Sequence, residues 1–177
     1  MEIVSGTFPL RYRLPVAYST EIGRIITRWA FIEWQLEQIT YRVVGVEQKI
    51  GRLTIREPRV DARITMIEDV MKLRKITVNT DFTKLSVGLV QLKNIRDAIA
   101  HGIWIKHPSI KLPVLQITKG KWSIAAMPNT KRVVEPEGAP VTIEKLREIV
   151  GSLKGAALTV SKLETEIAAQ LSASPQK

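Results

Sequence analysis

The chain has 177 residues, 45% of them hydrophobic, which is enough apolar material for the core of one domain. It has no cysteine, which excludes disulfide frameworks and thiolate metal sites, and its two histidines leave little for a zinc or iron site. The chain has 27 Lys and Arg against 17 Asp and Glu, a net charge of +10. Such a charge indicates an anionic partner such as nucleic acid, or else it only keeps the protein soluble.

Membrane and secretory signals are missing from the sequence pattern. No apolar stretch approaches the roughly 20 residues of a membrane span. The first fifteen residues carry Glu2, Arg11 and Arg13 with no apolar block behind them, unlike a secretory signal. Together with the lack of cysteine, this predicts a cytoplasmic protein that uses no cofactor and no membrane.

Helical periodicity begins after an N-terminal extension, residues 1–18. Ser19 and Thr20 are candidate N-cap residues, and the helix that follows them is expected to end near Gly45. Its apolar positions alternate by three and four: Ile22, Ile25, Trp29, Ile32, Leu36, Ile39 and Val43.

Two further helices are predicted before residue 103. One begins after Pro58 and closes near Ile76, and Gly51 marks a loop or a short extra turn ahead of it. The next is capped by Asp81 and stops at Gly102.

Residues 103–135 change to short β-type runs separated by proline and glycine, which predicts a hairpin or three-stranded ribbon with its tightest turn at Lys119 and Gly120. This insertion is strongly basic, and its cations are either candidate RNA-binding residues or part of an ordinary solvated face. They are Lys106, Lys111, Lys119, Lys121, Lys131 and Arg132.

Helical spacing resumes after Thr142, another candidate cap, and continues to a frayed tail at residues 172–177. The predicted architecture is therefore mainly α. It is a single domain over residues 1–177, with a bundle of four to five helices and a small β insertion before the last helix.

The third long helix carries the candidate site. Its apolar stripe is broken by Arg96, and a guanidinium at such a position needs a partner or a cavity. His101 ends the same helix, and Asp97 precedes it by four residues, so the carboxylate is expected to orient the imidazole. A cation for phosphate and a histidine for proton transfer suffice to cut RNA through its own 2′-hydroxyl.

This motif resembles the signature of the HEPN superfamily. It consists of Arg96, the polar Asp97, three further residues and then His101, at the end of a helix in a small helical domain. The resemblance covers roughly residues 19–102 and 141–170 and leaves out the β insertion. It implies a metal-independent endoribonuclease with catalytic Arg96 and His101, two protomers forming one cleft, and a role as a toxin or defence effector with an antitoxin as partner. It also implies that a first-helix acid, Glu33, holds the arginine.

Other interpretations stay open at this stage. Arg96 can be a structural ion-pair partner of Glu33 or Glu37, with His101 capping the helix end. The chain can also be a non-catalytic dimer that binds RNA or protein, or a structural accessory protein. For a dimer interface, Trp34 and the edge from Ile95 to Ile99 are the apolar candidates.

Overall fold

The computed structural model describes residues 13–55, 59–106, 111–116 and 138–173. It confirms a mainly helical fold with a small three-stranded antiparallel sheet before the last helix. In chain order the elements are α1 (Val16–Val44), α2 (Gln48–Thr54), α3 (Val60–Leu73), α4 (Phe82–His101), β1 (Ile103–Lys106), β2 (Pro113–Gln116), β3 (Ala139–Pro140) and α5 (Ile143–Ala173).

The two longest helices, α1 and α5, run parallel and side by side. At one end the Tyr18 hydroxyl donates to the Val141 carbonyl at 3.1 Å. Further along, Arg42 pairs with Glu164 at 3.2 Å, so residue numbers rise together on both helices. This pairing spans the whole core.

Helix α4 runs antiparallel to α1, because Arg96 contacts the middle of α1 while Trp104, just beyond α4, meets the Tyr18 ring near the start of α1. The apolar stripes predicted for the long helices form the core between them. Its fully buried large side chains are Trp29, Ile25, Ile32, Leu36, Ile39, Ile64, Ile67, Leu89, Ile99, Leu115, Leu146 and Leu153.

Two predicted helix caps are present and one is wrong. The Asp81 carboxylate accepts from the Lys84 backbone N–H at 3.0 Å, and the Thr142 hydroxyl accepts from the Lys145 N–H at 3.1 Å. Helix α1 instead begins after Pro15, so Ser19 and Thr20 lie inside the helix and the predicted extension 1–18 is too long at its end. Proline favours a helix start because its φ is fixed near the helical value. The predicted start at Ser19 and Thr20 is therefore too late.

The sheet has the strand order β1-β2-β3, and Trp104 of β1 pairs with Leu115 of β2 in its register. The two residues of β3, Ala139 and Pro140, fall after the predicted insertion and were not anticipated, because so short a strand has no periodicity. Much of the predicted insertion, including the expected turn at Lys119 and Gly120, lies outside the described residues.

The ends of the remaining helices refine the expectations. Helix α2 is the extra turn allowed for near Gly51, which packs directly against the ring of Tyr41. Helix α5 continues through Ser172 to Ala173, so the first two residues of the predicted frayed tail are helical. Among the described helices, none combines the length and apolar character needed to cross a bilayer.

Candidate functional site

The side chain of Arg96 extends from α4 toward α1 and is 19% exposed. Its guanidinium carbon is 5.5 Å from the centroid of the Trp29 ring, a cation–π arrangement. The polar break in the α4 stripe is therefore matched by an aromatic face on α1. The Nε of Arg96 is buried and has no hydrogen-bond partner among the described residues.

Two carboxylates flank the guanidinium. Nη1 of Arg96 lies 2.8 Å from Oδ1 of Asp97, and Nη2 lies 3.3 Å from Oε1 of Glu33. The Glu33 side chain is 49% exposed and its contacts are long, whereas Asp97 is closer and 31% exposed. Asp97 is thus the tighter partner, and Glu33 the one more easily displaced.

Asp97 also binds Lys93, whose Nζ lies 2.6 Å from Oδ2. The carboxylate therefore bridges two cations, and within the described part of the chain it accepts no hydrogen bond from His101. This differs from the expected pairing with His101. The reason is that Lys93 and His101 stand four residues on either side of Asp97, and the lysine occupies the free oxygen.

His101 is exposed at the last residue of α4 and makes no hydrogen bond or ion pair with any described residue. The helix ends there because Gly102 turns into β1 after donating its N–H to the Ala98 carbonyl. Because its ring is exposed and has no partner among the described residues, His101 is accessible to a ligand.

The cluster around Arg96 has no net charge, because the cations Arg96 and Lys93 balance the carboxylates of Glu33 and Asp97. An incoming phosphate has to replace one of those carboxylates to reach the guanidinium. Displacing Glu33 exposes one edge of Arg96 while Asp97 and Trp29 continue to hold the rest. The arrangement therefore fits a cation that stays in place and can exchange the Glu33 carboxylate for another anion.

Only two of the six insertion cations, Lys106 and Lys111, lie in the described residues, and both are exposed without an ion-pair partner there. The other four fall outside the described ranges. Trp104 packs on the core and its indole N–H donates to the Ile99 carbonyl at 3.3 Å, which assigns it to packing.

The predictions missed Lys93 and the role of Trp29 as a ring under Arg96. The four-residue spacing from Lys93 to Asp97 is visible in the sequence and makes Lys93 a candidate partner equal to His101. Glu37, the weaker candidate for Arg96, instead accepts from the Tyr41 hydroxyl at 2.5 Å and lies 3.5 Å from Arg52.

No group of three or more His, Asp or Glu side chains in the described residues is arranged to hold a metal ion. Comparison of the chain with models of known families, with characterised proteins and with solved structures finds no match in any of the three.

Proposed function

We propose that the protein is a metal-independent endoribonuclease of the HEPN type, with Arg96 as the phosphate-binding cation and His101 as the proton-transfer group. One observation carries the proposal most directly. The arginine that breaks the α4 stripe is held by Trp29, Glu33 and Asp97, and α4 ends with an exposed histidine that has no partner among the described residues.

The reaction uses the chemistry of RNA itself. His101 removes the proton of a ribose 2′-hydroxyl, the 2′-oxygen attacks the adjacent phosphorus, and the bond from phosphorus to the 5′-oxygen breaks. The departing 5′-oxygen takes a proton from a second copy of His101 in its protonated form, which leaves a 2′,3′-cyclic phosphate and a 5′-hydroxyl. Arg96 stabilises the negative charge that builds on the phosphate oxygens during the attack.

A dimer is part of this proposal. Arg96 and His101 are five residues apart on a helix and so point about 140° away from each other. One chain also supplies only one of each, although the reaction needs a proton acceptor and a proton donor. A two-fold contact between the C-terminal ends of two α4 helices would place both pairs in one cleft.

The test is cleavage of purified RNA in the presence of EDTA. We expect activity in the wild type and a loss of about a hundredfold or more in Arg96→Ala and His101→Ala. Arg42→Ala and His107→Ala are matched controls, because Arg42 pairs with Glu164 on another part of the bundle and His107 is the second histidine outside the motif. Equal activity in all variants would assign the cleavage to a contaminant.

A second candidate function is a non-catalytic module that binds RNA or a protein partner. It is favoured by the pairing of both Nη atoms of Arg96, which explains that residue as a structural ion pair. In this case His101→Ala would change neither cleavage nor binding, and Arg96→Ala would lower only the stability. For the enzyme, a cytoplasmic toxin or defence role with an antitoxin as partner is the proposed setting.

A further inference from the structure

A second surface of the bundle has the chemistry of a ligand site and lies away from Arg96. Helices α1 and α5 leave an open groove of about 390 Å³ between them on the outside of the bundle. We call it the α1–α5 groove, and its lining residues are Thr27, Arg28, Phe31, Lys154, Ala157, Leu158 and Ser161.

An exposed pair of aromatic rings borders the groove: Phe31 lines it, and Trp34 stacks on Phe31 just outside the lining. Phe31 and Trp34 are 48% and 47% exposed, and their rings stack with centroids 5.7 Å apart and an angle of 25° between planes. Leu158 on α5, which lines the groove together with Phe31, is 63% exposed. A patch of flat, exposed rings of this kind suits stacking with nucleic-acid bases.

The same groove is positively charged. Arg28 and Lys154 line it from opposite helices, and neither has an ion-pair partner among the described residues. Arg24, one turn earlier on α1, differs because it is paired with Glu21 at 2.9 Å. No carboxylate is among the described residues that line the groove, so its field favours an anion.

The base of the groove offers a fixed hydroxyl. Gln35 is 2% exposed, and its Nε2 donates to the Ser161 hydroxyl oxygen at 2.6 Å. Because the hydroxyl accepts this bond, its own hydrogen remains available for a ligand. Oε1 of Gln35 is buried without a partner in the described part of the chain.

We infer that the α1–α5 groove binds single-stranded RNA, with a base stacked on Phe31 and Trp34 and backbone phosphates held by Arg28 and Lys154. A second copy of the chain is a poorer occupant. A two-fold contact through this groove would bring two copies of the same lining together, with four cations and no lining carboxylate to offset them.

The groove lies on a different flank of α1 from the candidate site. Phe31 and Glu33 are two residues apart on the helix and therefore point about 160° apart. The bound segment is thus separate from the phosphate at Arg96, and the groove acts as an accessory site that raises affinity for longer strands. This role as an accessory site rests on the proposed function, whereas the binding itself does not.

Binding is measured with fluorescent oligouridylate on the His101→Ala protein, in which cleavage is expected to be slower by about a hundredfold or more. The affinity is determined at several salt concentrations. We expect Phe31→Ala and Trp34→Ala each to weaken binding about fivefold or more. Arg28→Gln and Lys154→Gln should each reduce the slope of log affinity against log salt by about 0.7. Leu53→Ala and Lys49→Gln, both exposed on α2, are the matched controls.

Unchanged affinity and salt slope in the groove variants would overturn the inference, as would equal loss in the controls. Binding of duplex RNA with the same dependence on Phe31 and Trp34 would also overturn it. If these variants instead dissociate a dimer in sedimentation, the groove is an interface between copies. Absence of cleavage with groove-dependent binding would refute the proposed enzyme alone, so the two failures are distinguishable.

For the active enzyme, the groove variants should raise KM for long RNA and leave kcat unchanged. Cleavage of a dinucleotide should not change in either constant. A fall in kcat on both substrates would contradict an accessory role.

Discussion

The guanidinium of Arg96 lies over the indole ring of Trp29, 5.5 Å from its centroid, and so a charge on α4 is accommodated against the core of α1. Trp29 is only 1% exposed, which makes its ring a rigid support. The side chain of Arg96 is shielded on this face and open only on the side where Glu33 and Asp97 stand.

The two carboxylates at Arg96 should differ in importance. Asp97→Asn is expected to lower cleavage about tenfold, because a hydrogen bond to a charged group contributes about 1.5 kcal/mol or more. Glu33→Gln should change cleavage less than fivefold, since its contacts are longer and half exposed. Cleavage rates of the two variants under identical conditions check this, and the reverse order would contradict the geometry.

The close contact of Gly51 with Tyr41 predicts a specific packing defect. A Cβ on Gly51 would collide with the Tyr41 ring, so Gly51→Ala should destabilise the fold by roughly 1–3 kcal/mol. Gly151→Ala is the control, because its added Cβ meets nothing within 4 Å and should stabilise α5 by about 0.5–1 kcal/mol. Thermal unfolding of both variants measures the difference, and similar melting temperatures would disprove the contact.

The cap of α4 predicts a pH dependence. The Lys84 backbone N–H donates to Asp81 and holds the pKa of that carboxyl below its ordinary value of 3.8. A lowered pKa stabilises the folded state at pH above that value, and the stabilisation is lost as pH falls through the folded pKa. The melting-temperature difference between wild type and Asp81→Asn should thus be larger at pH 6 than at pH 2.

Asp69→Asn serves as the control for that experiment, since its carboxylate makes no hydrogen bond or ion pair with the described residues. A difference for Asp81→Asn that is independent of pH would show that the cap acts without its charge.

Activity should depend on protein concentration if two α4 ends form one site. Over one dilution series, the fraction of dimer measured by sedimentation and the cleavage rate per chain should fall together. The reason is that each dissociated chain keeps a single Arg96 and a single His101. A monomer with full activity would rule out the shared cleft.

Ile99 is 2% exposed and so is excluded from the interface, contrary to the expectation for the Ile95 to Ile99 edge.

The sequence predicted the helical frame well because strong apolar periodicity marks helices of this length. The cap at Asp81 and the stop at Gly102 were readable for the same reason, since local hydrogen bonding decides them. The true start of α1 at Val16 was not, because Ser19 and Thr20 are ordinary cap residues that tertiary packing placed inside the helix.

The site was predictable in part. Arg96 stood out as a polar break in a stripe, and its pairing with Glu33 was implied by the resemblance to the HEPN superfamily. The partner of Asp97 depended on a competition between Lys93 and His101 at equal spacing, which local sequence does not decide. The α1–α5 groove was hidden because only three-dimensional packing brings Phe31 and Lys154 together.

The decisive measurement identifies the RNA ends produced, with EDTA present, by the wild type and by His101→Ala. We expect 2′,3′-cyclic phosphate and 5′-hydroxyl ends whose formation depends on His101 and continues in EDTA. The same ends at the same rate from His101→Ala, or 3′-hydroxyl ends from the wild type, would contradict it.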